Sequence, residues 1–315
     1  MAEKNTSRDG FGQGLLEAAQ NNTNIVGLCA DLTESTRMHW FAESCPDRFI
    51  DLGVAEQNMA GVAAGLALAG KHPVAASYAT FSPANNWGPI RASICYSNLP
   101  VTLVGGHASV SIGPDGATHQ GLEDIALMRV LPNMTVVVPA DKEEARKAIH
   151  ALTKLSSPSY LRITKYETDA VTNAQTLFEI GKSIELRPGT TATIIACGTM
   201  VAAALEAAEI LEKQDISVRV LNMHTIKPLD CEAVKRAFTQ TKVVVTVEEH
   251  QIAGVMGSAV GECAIQLGTS TPQRLLGMND QFGESGSPDE LLKAYKLTPK
   301  DIATAVKEAL TEQQS

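Results

Sequence analysis

The sequence has 315 residues, of which 44% are apolar and 19% are charged, and its formal net charge is −9. This composition is typical of a globular protein with room for two domains. The negative charge and the lack of a Lys/Arg-rich run exclude a nucleic-acid-binding protein of the usual basic kind. No apolar run approaches the roughly 20 residues of a membrane span, and the six cysteines are scattered singly, so we expect a cytoplasmic protein with reduced thiols.

Short apolar runs alternate with helical patterns in the first half of the chain. The apolar runs predict strands at residues 24–30, 48–53, 72–79, 99–106, 134–140 and 157–163. The patterns between them predict helices at residues 54–69, 84–97, 122–131 and 141–154. Strands that are apolar throughout and separated by helices indicate a parallel sheet covered on both faces. We therefore expect an α/β domain over residues 1–165.

A polar segment with two glycine-flanked turns, residues 166–189, interrupts this alternation and is predicted to be a linker. The alternation then resumes and predicts a second, smaller α/β domain over residues 190–315. Its strands are expected at 191–197, 217–223, 242–249 and 273–278, with helices at 199–213, 231–239 and 254–267. Two terminal helices are predicted because "SPDELLKAYKLT" and "TPKDIATAVKEAL" each begin with Ser or Thr before Pro.

A single glutamate stands at the start of a long apolar helical segment in "FIDLGVAEQNMAGVAAGLALAG", residues 49–70. In a parallel α/β sheet, residues that follow a strand lie at the carboxyl edge of the sheet, where ligands bind. Two explanations of Glu56 remain open at this point. Its charge complements the helix dipole in the first turn, or the carboxyl group lies in an apolar site and shares a proton with a bound base.

A long glycine-rich loop follows the fourth predicted strand in "GGHASVSIGPDGATHQGLEDIALMR", residues 105–129. Ordered loops of this length between a strand and a helix are usually functional. The loop holds His107, Asp115 and His119, which could bind a metal, but their spacing matches no common zinc pattern. They fit better as hydrogen-bonding and proton-transferring groups for a polyhydroxylated ligand.

Two further strand ends lie at the same edge. Phe81 and Trp87 follow the third predicted strand, in a chain with only 4% aromatic residues, and either pack in the core or stack on a flat heterocycle. Asp31 and Ser35 follow the first strand, where Ser35 also fits a helix cap. Together these features predict a site for a flat, basic heterocycle beside a sugar-like substrate. A Rossmann dehydrogenase, a P-loop NTPase and a serine hydrolase are excluded because their motifs are absent.

Four motifs identify a family at this point. "GVAEQNMAGVAAGLA", "DGATHQGLEDIALMRVLPNM", "VVVTVEEHQIAGVMGSAV" and "DQFGESGSPDELL" resemble the pyrimidine-binding and C-terminal domains of transketolase. The resemblance covers essentially the whole chain in the same order. It implies an α/β fold with a parallel-sheet pyrimidine-binding domain of the thiamine-diphosphate enzyme type, followed by a smaller α/β transketolase C-terminal domain.

The resemblance also implies an activity, the transfer of a two-carbon glycolaldehyde unit from a ketose to an aldose. A glutamate at the position of Glu56 hydrogen-bonds the pyrimidine of thiamine diphosphate in this family and promotes the proton transfer that activates the thiazolium carbon. By the same resemblance Phe81 stacks on the pyrimidine and Asp31 lies near the cofactor. We also assign Trp87 to the cofactor site.

The same comparison assigns His107 and His119 to catalysis, next to Glu56. Residues expected to contact substrate hydroxyls or a terminal phosphate are Ser35, His107, Asp115, His119, Arg162 and Lys165. Lys165 stands where family members carry an arginine that clamps phosphate. A lysine offers a point charge in place of a bidentate fork, so we expect a weaker phosphate site or a sugar with a different end group.

The chain lacks the family's N-terminal domain, which binds Mg²⁺ and the diphosphate through a GDG motif. We therefore assign no metal ligand to this chain and expect the partner to hold the diphosphate and Mg²⁺. The expected assembly is an α2β2 heterotetramer with a separate N-terminal transketolase subunit and sugar phosphate substrates. Three alternatives stay open: the β subunit of a 2-oxoacid dehydrogenase E1, a deoxyxylulose-phosphate synthase, and a non-catalytic assembly subunit.

Overall fold

The computed structural model describes residues 4–313 of the protein. Its strands are β1 (Lys4–Asn5), β2 (Ile25–Cys29), β3 (Phe49–Asp51), β4 (His72–Tyr78), β5 (Thr102–Gly106), β6 (Thr135–Val137), β7 (Ser159–Arg162), β8 (Thr168–Asp169), β9 (Ile184–Arg187), β10 (Ala192–Ala196), β11 (Val218–Asn222), β12 (Thr225–Lys227), β13 (Val243–Gln251) and β14 (Gln273–Met278). Its α-helices are α1 (Ser7–Asn21), α2 (Met38–Ser44), α3 (Glu56–Leu68), α4 (Trp87–Pro89), α5 (Asp124–Arg129), α6 (Lys142–Leu152), α7 (Met200–Glu212), α8 (Cys231–Gln240), α9 (Met256–Gln266), α10 (Pro288–Ala294) and α11 (Pro299–Glu312).

The first sheet has the strand order β12-β6-β7-β5-β4-β2-β3. All neighbours pair in parallel except β12, which comes from the second half of the chain and pairs antiparallel with β6. The chain leaves β2 towards β3 on one side and leaves β4 towards β5 on the other. Such a reversal opens a crevice between the carboxyl ends of two strands. This sheet confirms the predicted α/β fold and places a crevice beside the residues after β2 and β4.

The second sheet has the order β14-β13-β10-β11-β9 and is parallel except for β9, which pairs antiparallel with β11. Residues 184–187 of the segment predicted to be a linker therefore form a strand of this sheet. The same segment contains β8, which pairs antiparallel with β1 near the start of the chain. The polar sequence hid both strands because each is short and pairs with residues far away in the chain.

Helix α1 was not predicted, although it is 15 residues long. Its N-cap is Thr6, whose hydroxyl accepts from the amide of Asp9 at 3.2 Å. Gly10 and Gly14 let it pack against α6, because a Cβ at Gly10 would lie 1.9 Å from the carbonyl oxygen of Lys142. The helix predicted at 84–97 is realised as the short α4 and a π-helix, Ile90–Cys95.

The two sheets share a hydrophobic core. One buried cluster contains Met59 and Ile94 from the first half together with Val234 and Val260 from the second. Continuity of this kind fixes the two domains against each other, because separating them would expose apolar surface to water. Among residues 4–313, no helix is long and apolar enough to cross a lipid bilayer.

Candidate active site

Glu56 is the first residue of α3, and its side chain is 7% exposed. No side chain caps the start of this helix, so the carboxylate lies where the helix dipole favours a negative charge. Within residues 4–313 its carboxylate oxygens make no hydrogen bond or ion pair. The carboxylate of this largely buried residue thus keeps all of its acceptor capacity. The position is therefore suited to a ligand that brings its own hydrogen-bond donor.

The turn after β4 is attached to the start of α3. The side-chain amide of Asn86 is fully buried and donates to the carbonyl oxygen of Glu56 at 3.1 Å and to Ser82 Oγ at 3.1 Å. From the other side, Gln57 Nε2 donates to the carbonyl oxygen of Asn85 at 3.1 Å. These bonds hold the turn, and with it Phe81, at a fixed place relative to Glu56.

Four aromatic rings meet beside this turn, and we call them the ring cluster: Tyr78, Phe81, His107 and His119. The rings of Tyr78 and His107 are stacked with centroids 4.0 Å apart, and those of Tyr78 and Phe81 are stacked at 5.9 Å. His119 meets Phe81 edge-on at 5.5 Å. The structure thus brings together three residues that the sequence assigned to one site. It adds Tyr78, which had not been predicted.

His107 is neutral at physiological pH. Burial, together with the positive charges of Lys165, Arg8 and Arg37 and against an opposite effect of Asp115, lowers the pKa of its imidazole to about 3. Its Nδ1 atom is buried without a hydrogen-bond partner in the described part of the chain. The backbone of His107 is left-handed, with φ 51°, a conformation that residues with a Cβ rarely adopt and that is concentrated at functional sites.

Positive charge collects around His107. Lys165 Nζ lies 3.3 Å from the Asp115 carboxylate, so two of the predicted substrate residues form a pair. Arg8 donates through Nη1 to the carbonyl oxygen of Ser35 at 3.3 Å, and its buried Nε has no partner among residues 4–313. Arg37 is paired with an aspartate of α1. Positive side chains beside His107 favour an anionic group on a ligand bound there.

Arg8 and Tyr78 are the residues that sequence reasoning missed. Tyr78 carried a signal, because it ends an apolar strand at the edge where the site was expected. Arg8 carried none. It reaches the site only because α1 begins beside the end of β7, where the amide of Arg8 donates to the carbonyl oxygen of Thr164 at 3.3 Å. Only the folded chain brings that position to the loop of His107.

Arg162, which the sequence assigned to substrate binding, uses two of its three guanidinium nitrogens within the protein. Its Nε donates to the Asp124 carboxylate at 3.1 Å, and its Nη2 donates to the carbonyl oxygens of Gly121 at 3.0 Å and Glu249 at 3.1 Å. Arg162 is buried, and the Asp124 side chain is completely so. Through the bond from Nη2 to Glu249, the side chain of Arg162 links the first domain to the second.

The remaining predicted residues are divided between the site and its surroundings. The indole nitrogen of Trp87 donates to the carbonyl oxygen of Leu127 at 2.9 Å, and the ring packs against the core, so the packing explanation holds for it. Asp31 is exposed at the end of β2, where its amide donates to Asp51 Oδ1 at 3.1 Å. Ser35 is not a helix cap and lies beside Arg8 through its carbonyl oxygen.

Family models match both halves of the chain. Residues 3–169 match the pyrimidine binding domain of transketolase, and residues 181–302 match the transketolase C-terminal domain. The chain belongs to the transketolase family. Because the matches follow each other along nearly the whole chain, the family resemblance drawn from the four sequence motifs is confirmed.

Relatives of this transketolase-family chain include proteins of its own length. A putative transketolase C-terminal section of Methanocaldococcus jannaschii is 41% identical over 308 residues, covering 97% of this chain and 96% of the relative. A 6-deoxy-6-sulfo-D-fructose transketolase subunit of Clostridium sp. is 40% identical over 315 residues, covering 99% and 97%. The chain also matches 48% of a longer protein, the 1-deoxy-D-xylulose-5-phosphate synthase of Carboxydothermus hydrogenoformans, with 35% identity.

A solved structure has the same length and fold as this transketolase-family chain. It is described as a split gene transketolase in an inactive beta4 tetramer. The two chains are 42% identical and superpose with a TM-score of 0.91, covering 98% of this chain and 99% of the other. The predicted resemblance to the C-terminal subunit of a split transketolase is thereby confirmed.

Proposed function

We propose that the chain is the C-terminal subunit of a thiamine-diphosphate-dependent transketolase, which transfers a two-carbon glycolaldehyde unit from a ketose to an aldose. The observation that carries this proposal is Glu56, a largely buried residue whose carboxylate has no partner among residues 4–313 and whose backbone is tied to the turn that carries Phe81. The family membership and the full-length likeness to C-terminal transketolase sections support it.

The residues around Glu56 fit a flat, weakly basic ring. Glu56 would hold a proton between its carboxylate and a ring nitrogen, in a place where water competes poorly for that hydrogen bond. Phe81 would pack against the face of the ring. Bound thiamine diphosphate would supply the nucleophilic carbon that the amino acids of this chain lack. The diphosphate and Mg²⁺ would be held mainly by the partner subunit.

The sugar would be bound by the second half of the site. His107 is neutral because of its low pKa, so its imidazole can accept a hydrogen bond from a hydroxyl or donate one. His119 has its Nδ1 atom in a hydrogen bond with Thr118 at 2.9 Å, which orients the ring and leaves Nε2 for the substrate. Lys165 and Arg8 would face an anionic end group such as a phosphate or a sulfonate.

The surface beside Glu56 supports a partner subunit. Val54, just before α3, is 79% exposed, and Leu68 at its end is 74% exposed. Gly61 and Gly65 lie between them with no other part of the chain near the place of a Cβ. Tyr96, after the adjacent π-helix, is 88% exposed. Large apolar side chains exposed together mark an interaction surface, and we propose an α2β2 assembly with an N-terminal transketolase subunit.

The test begins with purification of the tagged chain from its own host, with thiamine diphosphate and Mg²⁺ present. We expect a second chain of similar size to copurify, and cofactor to bind only to the complex. The complex should move a two-carbon unit between sugars that carry an anionic end group, without releasing CO₂.

Three outcomes would count against this proposal. Release of CO₂ from pyruvate would favour an activity like that of the synthase relative. A chain that binds the cofactor unaided would contradict the need for a partner. A chain that copurifies with nothing and binds no cofactor would favour a non-catalytic role.

A further inference from the structure

Glu249 lies near the carboxyl end of β13, in the second sheet, yet its carboxylate binds the loop of the first domain. Its Oε1 accepts from the backbone amide of Ser111 at 2.6 Å, and its Oε2 accepts from the hydroxyl of Thr199 at 2.8 Å. The side chain is 3% exposed. A carboxylate that accepts two short hydrogen bonds away from water is a strong anchor. Oε2 thus binds Thr199 within the second domain, and Oε1 binds the loop of the first domain.

The loop that Glu249 holds is the one with the catalytic candidates, and we call residues 107–120 the substrate loop. Its backbone is strained at two residues that are not glycine, with φ 51° at His107 and φ 84° at Ser109. Strained positions persist only where the surrounding structure fixes them. Ser111 follows these positions directly, so the bond from its amide to Glu249 acts where the loop most needs support.

The second domain also supports the far end of the substrate loop. Gln120 Nε2 donates to the carbonyl oxygen of Glu284 at 3.0 Å and to that of Val110 at 3.3 Å. Gly116 lies so close to Ser285 that a Cβ at Gly116 would be 2.6 Å from the serine hydroxyl. The loop is therefore packed along its length against the second domain, and Glu249 provides its charged contact.

We propose that Glu249 is a positioning residue whose carboxylate fixes the substrate loop, so that the C-terminal domain sets how tightly the enzyme binds its sugar. This inference rests on the proposed function for its enzymatic part only. The contact between Glu249 and the substrate loop is a property of the isolated chain and does not depend on the proposed function. Glu249 reaches the sugar through Ser111 and the backbone of the loop, in contrast to His107 and His119, which belong to the ring cluster.

The anchor is tested first in the isolated full-length chain, by amide hydrogen exchange. Glu249→Ala should speed exchange at the Ser111 amide by about tenfold or more, because a charge-assisted bond is lost. Glu249→Gln should restore slow exchange, since its Oε1 can accept from Ser111 while its amide donates to Thr199. Thr199→Val, which removes the hydrogen bond to the other carboxylate oxygen, should speed exchange at the Ser111 amide to an intermediate extent. This variant provides the test if Glu249→Ala does not fold.

The matched control is Glu248→Gln, at the next residue of the same strand. Glu248 accepts from the amides of Met256 and Gly257 at 2.9 and 2.8 Å, and in the described part of the chain its side chain makes no hydrogen bond to the substrate loop. This variant should leave exchange at Ser111 unchanged. Exchange at Ser111 that is equally slow in wild type, Glu249→Ala and Thr199→Val would refute the anchor, whatever the enzyme does.

The second test uses the complex with the partner subunit. Glu249→Ala should raise KM for the sugar about tenfold and leave the KM for thiamine diphosphate unchanged, and Glu249→Gln should recover most of the sugar affinity. An unchanged sugar KM, or an equal loss of cofactor affinity, would overturn the positioning role. If wild-type complex transfers no two-carbon unit, the proposed function fails, and the exchange experiment still decides whether Glu249 holds the loop.

Discussion

The edge of the first sheet and the carboxyl end of β13 in the second sheet carry similar side chains but use them differently. At the first edge the Glu56 carboxylate, His107 Nδ1 and Arg8 Nε have no hydrogen-bond partner within residues 4–313. His107 Nδ1 and Arg8 Nε are buried atoms. Such groups cost stability when they stay unpaired, and ligand binding recovers that cost.

At the end of β13 the polar groups are already paired. Glu248 caps the start of α9, and Glu249 binds Ser111 and Thr199. His250 accepts from the amide of Ile125 at 3.3 Å through Nε2, so Nδ1 carries the proton and donates to the carbonyl oxygen of the next residue at 3.0 Å. Burial lowers the pKa of His250 to about 4, which agrees with this neutral tautomer.

The two edges therefore have different roles. Both edges belong to parallel sheets of the kind that binds ligands. At the first edge, hydrogen-bonding groups remain unpaired in the part of the chain that the structure describes and are available to a ligand. At the end of β13, the corresponding groups form the contact between the domains. Four measurements test this distinction.

The largest effect is expected at the domain contact. Arg162→Met leaves the fully buried Asp124 carboxylate without its cation, which should lower the free energy of unfolding by about 3–5 kcal/mol. Arg274→Met removes an exposed pair with Glu308 and Glu312 and should cost less than about 1 kcal/mol. Chemical denaturation of the isolated chain measures both, and equal losses would contradict the assignment of Arg162 to the contact.

The next effect is expected at Glu56. Glu56→Gln should reduce turnover of the complex by at least about 100-fold, the lower end of the contribution of a positioned acid or base. The unfolding free energy of the isolated chain should fall by less than about 1 kcal/mol, because the carboxylate has no hydrogen bond to lose and gives up only its interaction with the helix dipole. Full activity in this variant would remove Glu56 from the catalytic site, and a strong loss of stability would show that it has a structural role.

A third effect is expected from pH. Burial lowers the pKa of His72, His224 and His250 to about 4 and that of His107 to about 3. Between pH 6.5 and 4 the unfolded chain takes up protons at these residues and the folded chain does not. Stability should therefore fall as the pH is lowered through this window, by about 1.4 kcal/mol per pH unit for each histidine.

Two buried glutamates act in the opposite direction. Burial raises the pKa of Glu144 to about 7 and that of Glu248 to about 8, so each favours the folded state at lower pH and loses this effect as the pH rises through its folded pKa. With four histidines against two glutamates, unfolding free energies measured from pH 6.5 to 5 should still decrease. A flat or rising profile would contradict the neutral state of the histidines.

The smallest effect is expected at Lys165. Lys165→Met should raise KM for a sugar with an anionic end group by about three- to tenfold, because this half-buried charge is partly screened by water and salt. The KM of the same sugar without the anionic group should not change. An equal increase for both sugars would place Lys165 outside the binding of the end group.

The amino-acid pattern alone predicts the fold class and the order of the principal strands, and it indicates Glu56, Phe81, His107 and His119 as candidate site residues. These are local signals, since apolar runs, glycine-rich loops and helix starts depend on neighbouring residues. The same signals could not separate Trp87 from Phe81, because both aromatic residues follow one strand. In the folded chain the turn after β4 places Trp87 against the core and Phe81 in the ring cluster.

Tertiary structure alone decided the rest. Arg8 reaches the site because α1 begins beside β7. Arg162 lies at the domain contact, where Asp124 and the backbone of Glu249 accept its hydrogen bonds. Strands β9 and β12 exist through pairing with distant segments. The physical reason is common to these cases: hydrogen bonds and ion pairs between residues far apart in the chain depend on packing, which a linear pattern does not record.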